Sequence, residues 1–144
     1  MEKKQRTLNN KGFSLIELIV VIAIMAILVG VLAPQFIKYI ESSRQSTDIQ
    51  SASAIRSAIE AGVADGTITA DVKVEVTATG IKVDDAGKAA VESVGIAQTT
   101  PCKSDGWKPG EIATYDYDKF SWKVPDAGSP NDNEPNKDIC TAFK

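Results

Sequence analysis

The chain has 144 residues, a net charge of −3, two cysteines and no histidine. That length suits one domain. The missing histidine excludes His-based acid–base catalysis, a Ser-His triad and His-ligated zinc. No basic patch outside the N-terminus offers a footprint for phosphate backbones, so no nucleic-acid partner is expected. There is no GxxxxGK[ST] phosphate loop, and no metal or other cofactor is expected.

Residues 1–12 are short, polar and basic. Lys3, Lys4, Arg6 and Lys11 against Glu2 give +3, which leaves −6 for the remainder. Such asymmetry holds the basic end of a membrane helix in the cytoplasm and directs the C-terminal part outward. Lys11-Gly12-Phe13-Ser14-Leu15-Ile16-Glu17 then leads into an apolar run ending at Ala33, followed by Pro34-Gln35-Phe36. From Phe13 to Ala33 is 21 residues, of which only Ser14 and Glu17 are polar. At 1.5 Å per residue the run spans about 31 Å, one bilayer core. The competing reading is a buried helix of a soluble protein; the basic flank favours the membrane. An acid inside such a helix is costly, so Glu17 points to a specific use. Pro34 lacks an N–H and crowds the carbonyl of Gly30. It also pushes Ala33 away from α geometry. Gly30–Pro34 therefore reads as a kink that does not end the helix.

Residues 35–64 resume a helical pattern, with Ala52, Ile55, Ile59 and Val63 on one stripe that should pack on a globular head. Glu41 to Gln50 is polar apart from Ile49, and reads as a solvated stalk in preference to a subunit contact. Asp65-Gly66 is a stop signal. A helix from Phe13 to that point runs about 50 residues or 75 Å, too long for a compact globule, so part must project. Val72, Val74 and Val76 alternate with polar residues as a strand does, and Ile81 and Val83 after Gly80 supply its hairpin partner. Asp85 to Val94 reads as a short helix with Asp84 or Asp85 at its N-cap, although Gly87 weakens it. Glu111–Tyr117 and Phe120–Val124 form a second hairpin through Asp118-Lys119. The fold class is α+β: a long helix, apolar then amphipathic, on a small antiparallel sheet. The segments are 1–12, 13–34, 35–64 and a β-rich head at 65–144.

From Pro125 the chain turns irregular, punctuated by Pro130 and Pro135, and such a tail should not hold its own shape. In an exported protein Cys102 and Cys140 read as one disulfide pinning that tail. It would close a 39-residue loop, worth about 4 kcal/mol in the chain-entropy model. Asp126, Asp132, Asn133 and Glu134 offer oxygens to Ca²⁺, but their spacing fits no standard loop, and a solvated turn is preferred. Tyr115, Tyr117, Phe120, Trp107 and Trp122 read first as packing of a small sheet and second as a sugar-stacking surface.

The run from Lys11-Gly12 through Phe13 and Glu17 to Pro34-Gln35-Phe36 resembles the N-terminus of type IV pilins, a class that includes pseudopilins of type II secretion and competence pilins. The resemblance covers residues 11 to about 60. It implies cleavage after Gly12 by a membrane-embedded prepilin peptidase, N-methylation of Phe13, and polymerisation with other pilin subunits through the apolar helix. Glu17 would then set the register between subunits by pairing with a neighbour's Phe13 ammonium, and Gly30–Pro34 would be the stretch that melts in the assembly. Phe13, Phe36 and Tyr39 resemble part of the aromatic pattern of conducting pilins, but it stops at Tyr39 and packing is preferred. A cytoplasmic assembly ATPase and a platform protein are the further partners implied. The chain would sit in the cell membrane before assembly and in an extracellular filament after it. It is read as a structural subunit, not an enzyme. The alternatives are a pseudopilin, a secreted binding protein or enzyme behind a signal peptide cut near Ala33, and an uncut membrane-anchored sensor.

Overall fold

The computed structural model describes residues 12–125 and 136–144. The chain falls into two units, Met1–Tyr39 and Ile40–Lys144, and one helix, α1 (Leu15–Ala64), contributes to both. In the first unit every described residue is exposed. The second unit carries the core and has the expected α+β character. Its strands are β1 (Val72–Thr77), β2 (Gly80–Val83), β3 (Thr99–Thr100), β4 (Gly110–Asp116) and β5 (Ser121–Lys123), with α2 (Asp85–Ser93) between β2 and β3. All pairings are antiparallel, in the order β3-β2-β1-β4-β5.

The core follows from side-chain period. Val72, Val74 and Val76 point inward from the central strand while Lys73 and Glu75 face water, as the two-residue repeat of a strand requires. Ala52, Ile55 and Ile59 of α1 are fully buried in the same cluster as Val83, Val91, Ile112 and Tyr115. Gly66 closes α1 with φ of +80°, a region glycine enters without steric penalty. The Ile68 N–H then reaches back to the Gly62 carbonyl at 3.0 Å, satisfying an acceptor the helix end would leave open. Asp84 caps α2 by accepting from the Gly87 N–H at 3.2 Å, and its other oxygen accepts from the Lys73 N–H at 2.9 Å. Gly87, unfavourable for a helix, has a packing reason. A Cβ there would lie 2.5 Å from Val83 and 2.6 Å from Val72.

Two expectations need correction. The Glu41–Gln50 segment is not simply a solvated face, because Asp48 is 1 % exposed. Its carboxylate accepts from the Lys103 N–H (2.8 Å), the Ser104 N–H (2.9 Å) and the Trp107 indole N–H (2.8 Å). Glu41 accepts from the Ser104 hydroxyl beside it. The segment between β3 and β4 is thus tied to α1 by polar contacts.

The C-terminal part is the second. The proline-punctuated residues 126–135, with the Ca²⁺ candidates Asp126, Asp132, Asn133 and Glu134, lie outside the described residues. Beyond them, α3 (Lys137–Cys140) and a 3-10 turn (Thr141–Phe143) hold shape. Ile139 and Phe143, four apart, are 0 % and 1 % exposed. Asn136 accepts from the Lys108 N–H at 2.9 Å and donates to the Lys108 carbonyl at 2.6 Å. Arg56 donates to the main-chain oxygens of Ala142 (3.3 Å) and Lys144 (2.8 Å).

The expected disulfide is not shown. Cys102 and Cys140 are free, half-buried thiols. Cys102 hydrogen-bonds at Ile81 of β2, Cys140 belongs to α3, which packs on β4, and β1 separates those two strands.

Replacing Asp48 by Ala leaves three donors of the β3–β4 segment without their acceptor. Unsatisfied buried groups are expensive, and Asp48→Ala should destabilise the head by about 3 kcal/mol. Chemical denaturation of the full chain in detergent, followed by tryptophan emission, reads this out. Asp48→Asn should lose less.

Candidate functional site

The segment to which the sequence assigns function begins just before α1. Gly12, Phe13 and Ser14 precede the helix, and the Phe13 side chain is 91 % exposed. Glu17 is the only acid in the first turn. Its Oε2 accepts from the Ser14 N–H at 2.8 Å, so the carboxylate reaches back three residues, as the acid of a capping box does. It thereby satisfies one of the donors every helix start leaves open. This local bond was not anticipated, although Ser14-x-x-Glu17 before an apolar run is its signature.

Beyond Glu17 the apolar side chains have no cover among the described residues. Leu15 to Ile40 are all exposed, with Leu15 at 76 % and Val31 at 66 %. The most apolar stretch of α1 has mean hydropathy 3.1, and the helix is long and apolar enough to cross a membrane. Backbone groups are satisfied inside a helix, which is what an apolar medium demands. Pro34 lies inside α1, and the helix continues on both sides of it, without the hydrogen bond that a proline N–H cannot donate. Gly30 is helical as well, and a Cβ there would meet nothing within 4 Å. No packing demand among the described residues accounts for that glycine, which costs a helix about 1 kcal/mol relative to alanine.

The head adds polar groups that the sequence reading passed over. Asp48 is one; it lies four residues before Ala52 and seven before Ile55, so the buried stripe itself carried the signal. The Arg56–Glu60 ion pair at 2.8 Å is another. Glu60 Oε1 also accepts from the Trp122 indole N–H at 2.9 Å. Partial burial works to raise the Glu60 pKa, but the hydrogen bonds from Arg56 and Trp122 and the Arg56 charge prevail and hold it below the usual carboxylate range. Tyr115 meets Trp122 edge-on at 5.2 Å, and Trp122 lies 4.8 Å from Phe143, so these rings are packed. Phe120 is 67 % exposed and touches Tyr117 at 5.7 Å. Burial, with the Asp48 charge second, pushes the Cys102 thiol up to about 11 against the Ile81 bond, and burial also raises Cys140. Both thiols are protonated at neutral pH and weak nucleophiles. Among the described residues no cluster of His, Cys, Asp and Glu suits a metal.

The model of the prokaryotic N-terminal methylation motif matches residues 7–33, the stretch that holds Gly12, Phe13 and Glu17. The chain is similar to prepilin peptidase-dependent protein A of Clostridium perfringens, 36 % identical over 94 residues that cover 60 % of this chain and 67 % of the relative. It is also similar to the type IV major fimbrial protein FimA of Dichelobacter nodosus, 45 % identical over 56 residues, covering 39 % of this chain and 36 % of the relative. A second FimA from that organism is 43 % identical over 56 residues, with the same coverage. The match thus spans about a third of the fimbrial relatives' length. No solved structure gives a significant match. An exposed apolar helix opened by Ser14 and Glu17, the matching motif and these relatives agree: the chain belongs to the type IV pilin family.

Proposed function

We propose that this chain is cut after Gly12 by a prepilin peptidase, methylated at the new amino terminus of Phe13, and polymerised through α1 into a surface filament serving adhesion, motility or aggregation. The observation that carries this reading is the uncovered apolar half of α1, inside the segment matched by the methylation motif. Cleavage after Gly12 leaves 132 residues with the apolar helix attached, so the product is held in the cell membrane first and in the filament afterwards. Gly12 has open space around its Cα, which suits close approach by a protease. The names of the relatives, one dependent on prepilin peptidase and the others fimbrial, support the processing and the filament. A pseudopilin of a secretion or DNA-uptake system would need the same N-terminus; the fimbrial relatives favour the pilus.

Assembly has little hydrophobic driving force, because lipid tails are as apolar as the helices that replace them. External work is required, and an assembly ATPase with a platform protein would supply it. What distinguishes one packing register from another is then polar. A carboxylate at a helix centre in the membrane costs about 2.5–3.5 kcal/mol, less near the interface. Within one subunit Glu17 offsets this through the Ser14 N–H. A neighbour's Phe13 ammonium is a stronger, charge-assisted partner, available only when two subunits are correctly staggered. Gly30–Pro34, short of a hydrogen bond and carrying an unneeded glycine, is where α1 bends or melts as copies pack.

Mass spectrometry of the chain purified from cells should find a mature form beginning at N-methylated Phe13. A start at Pro34 would indicate a signal peptide and an intact Met1 an uncut anchor; either overturns the proposal. Glu17→Ala should still be inserted and cut, yet filament yield should fall to background in sheared cell-surface fractions. Normal yield would remove the register role. In assembled filaments, amides near Gly30–Pro34 should exchange at least about tenfold faster than those of flanking turns, as local opening requires.

A further inference from the structure

We propose that the head carries a binding groove for an uncharged saccharide, between the second half of α1, the β4–β5 hairpin and the C-terminal turn. The groove lies wholly within the unit Ile40–Lys144 and does not depend on filament assembly. Its volume is about 870 Å³, within the range of small-ligand sites. Arg56, Glu60, Phe120, Ser121, Trp122 and Lys123 are among its lining residues.

The aromatic wall is built and held. Trp122 is fixed at three points: Tyr115 meets its ring edge-on, Phe143 lies 4.8 Å away, and its N–H is bound to Glu60. An indole so fixed loses no rotamer freedom when a ligand arrives. Phe120 stands at the rim, 67 % exposed, with φ of +49°. A bulky residue in the left-handed region is strained, and such strain clusters at ligand-binding sites. Pyranose rings present flat C–H faces, which match exposed faces of flat aromatic side chains.

The polar wall argues for a neutral ligand. Arg56 is occupied by Glu60 and by the main-chain oxygens of Ala142 and Lys144. Lys123 is paired with Asp116 at 2.5 Å. Of the groove's three cations, Arg56 and Lys123 would have to give up these contacts to an anionic ligand, and only the Lys144 ammonium has no ion pair among the described residues. Hydrogen-bonding capacity remains nonetheless. Both bonds to Glu60 end on Oε1, which leaves Oε2 as an open acceptor among the described residues, and Ser121 is an exposed residue. Sugar hydroxyls both donate and accept, which is what such a wall serves. An added peptide strand fits poorly, since β5 has three residues along which to pair.

The test uses the full chain in a zwitterionic detergent without a sugar headgroup. Cellotetraose, maltotetraose and tetragalacturonate are titrated while the tryptophan side-chain NMR signals are followed. The expected result is saturable shifts of Trp122 with a neutral tetrasaccharide, insensitive to added salt. Phe120→Ser should weaken binding by about tenfold while its thermal melt matches the parent, and Glu60→Gln should weaken it comparably with a lower melt. Glu60→Gln keeps an acceptor oxygen but loses the Arg56 pair, whereas Phe120→Ser touches no buried group, so at least one variant should fold normally. No saturable shift with either neutral sugar, preference for tetragalacturonate abolished by salt, equal binding by both folded variants, or tighter binding of an unrelated extended peptide at the same signals would overturn the proposal.

Discussion

The two halves of helix α1 need different surroundings. Its backbone is hydrogen-bonded internally except where Pro34 has no N–H to donate, and the side chains from Leu15 to Ile40 find no apolar partner among the described residues. From Asp48 onward the same helix is folded into a core, with Ala52, Ile55 and Ile59 fully buried. An unpartnered apolar surface this long is far beyond what a monomeric soluble protein exposes. The head supplies the folded mass, and the uncovered half supplies the need for a lipid phase or for copies of itself. Glu17 is the one acid in that half, so polar specificity concentrates there.

The head secures itself to the helix by polar clasps as much as by apolar packing. Asp48 gathers three donors from the β3–β4 segment, and Asn136 makes two bonds to the backbone of Lys108. A buried carboxylate with a full set of donors sits in one geometry only, because any shift leaves donors and acceptor unpaired. This gives the irregular stretch before β4 a defined path although it has no regular structure of its own. The β4–β5 hairpin and its aromatic groove are then held in a fixed relation to the C-terminal turn.

Much of this was legible in the amino-acid order, for identifiable reasons. The apolar run, the Ala52–Ile59 stripe and the Val72–Val76 alternation are periodic, and period survives without knowledge of partners. The Asp65-Gly66 stop and the Asp84 cap are local chemistry. What escaped were features defined by partners distant in sequence. Asp48 looked like one more polar residue of a solvated stretch, because its donors lie more than fifty residues away. The two-residue strand β3 is too short for any alternation. The C-terminal turn has only Ile139, Ala142 and Phe143 as an apolar signal, and the preceding prolines masked it. In the N-terminal segment the motif residues stood out, but the bond from the Ser14 N–H to Glu17 depends on where the helix starts.

The seating of the C-terminal turn has a mechanical side. The contacts of Arg56 with Ala142 and Lys144, the Asn136 clasp and the packing of Phe143 share any load that reaches it. Resistance to pulling then resides where that turn leans on the helix.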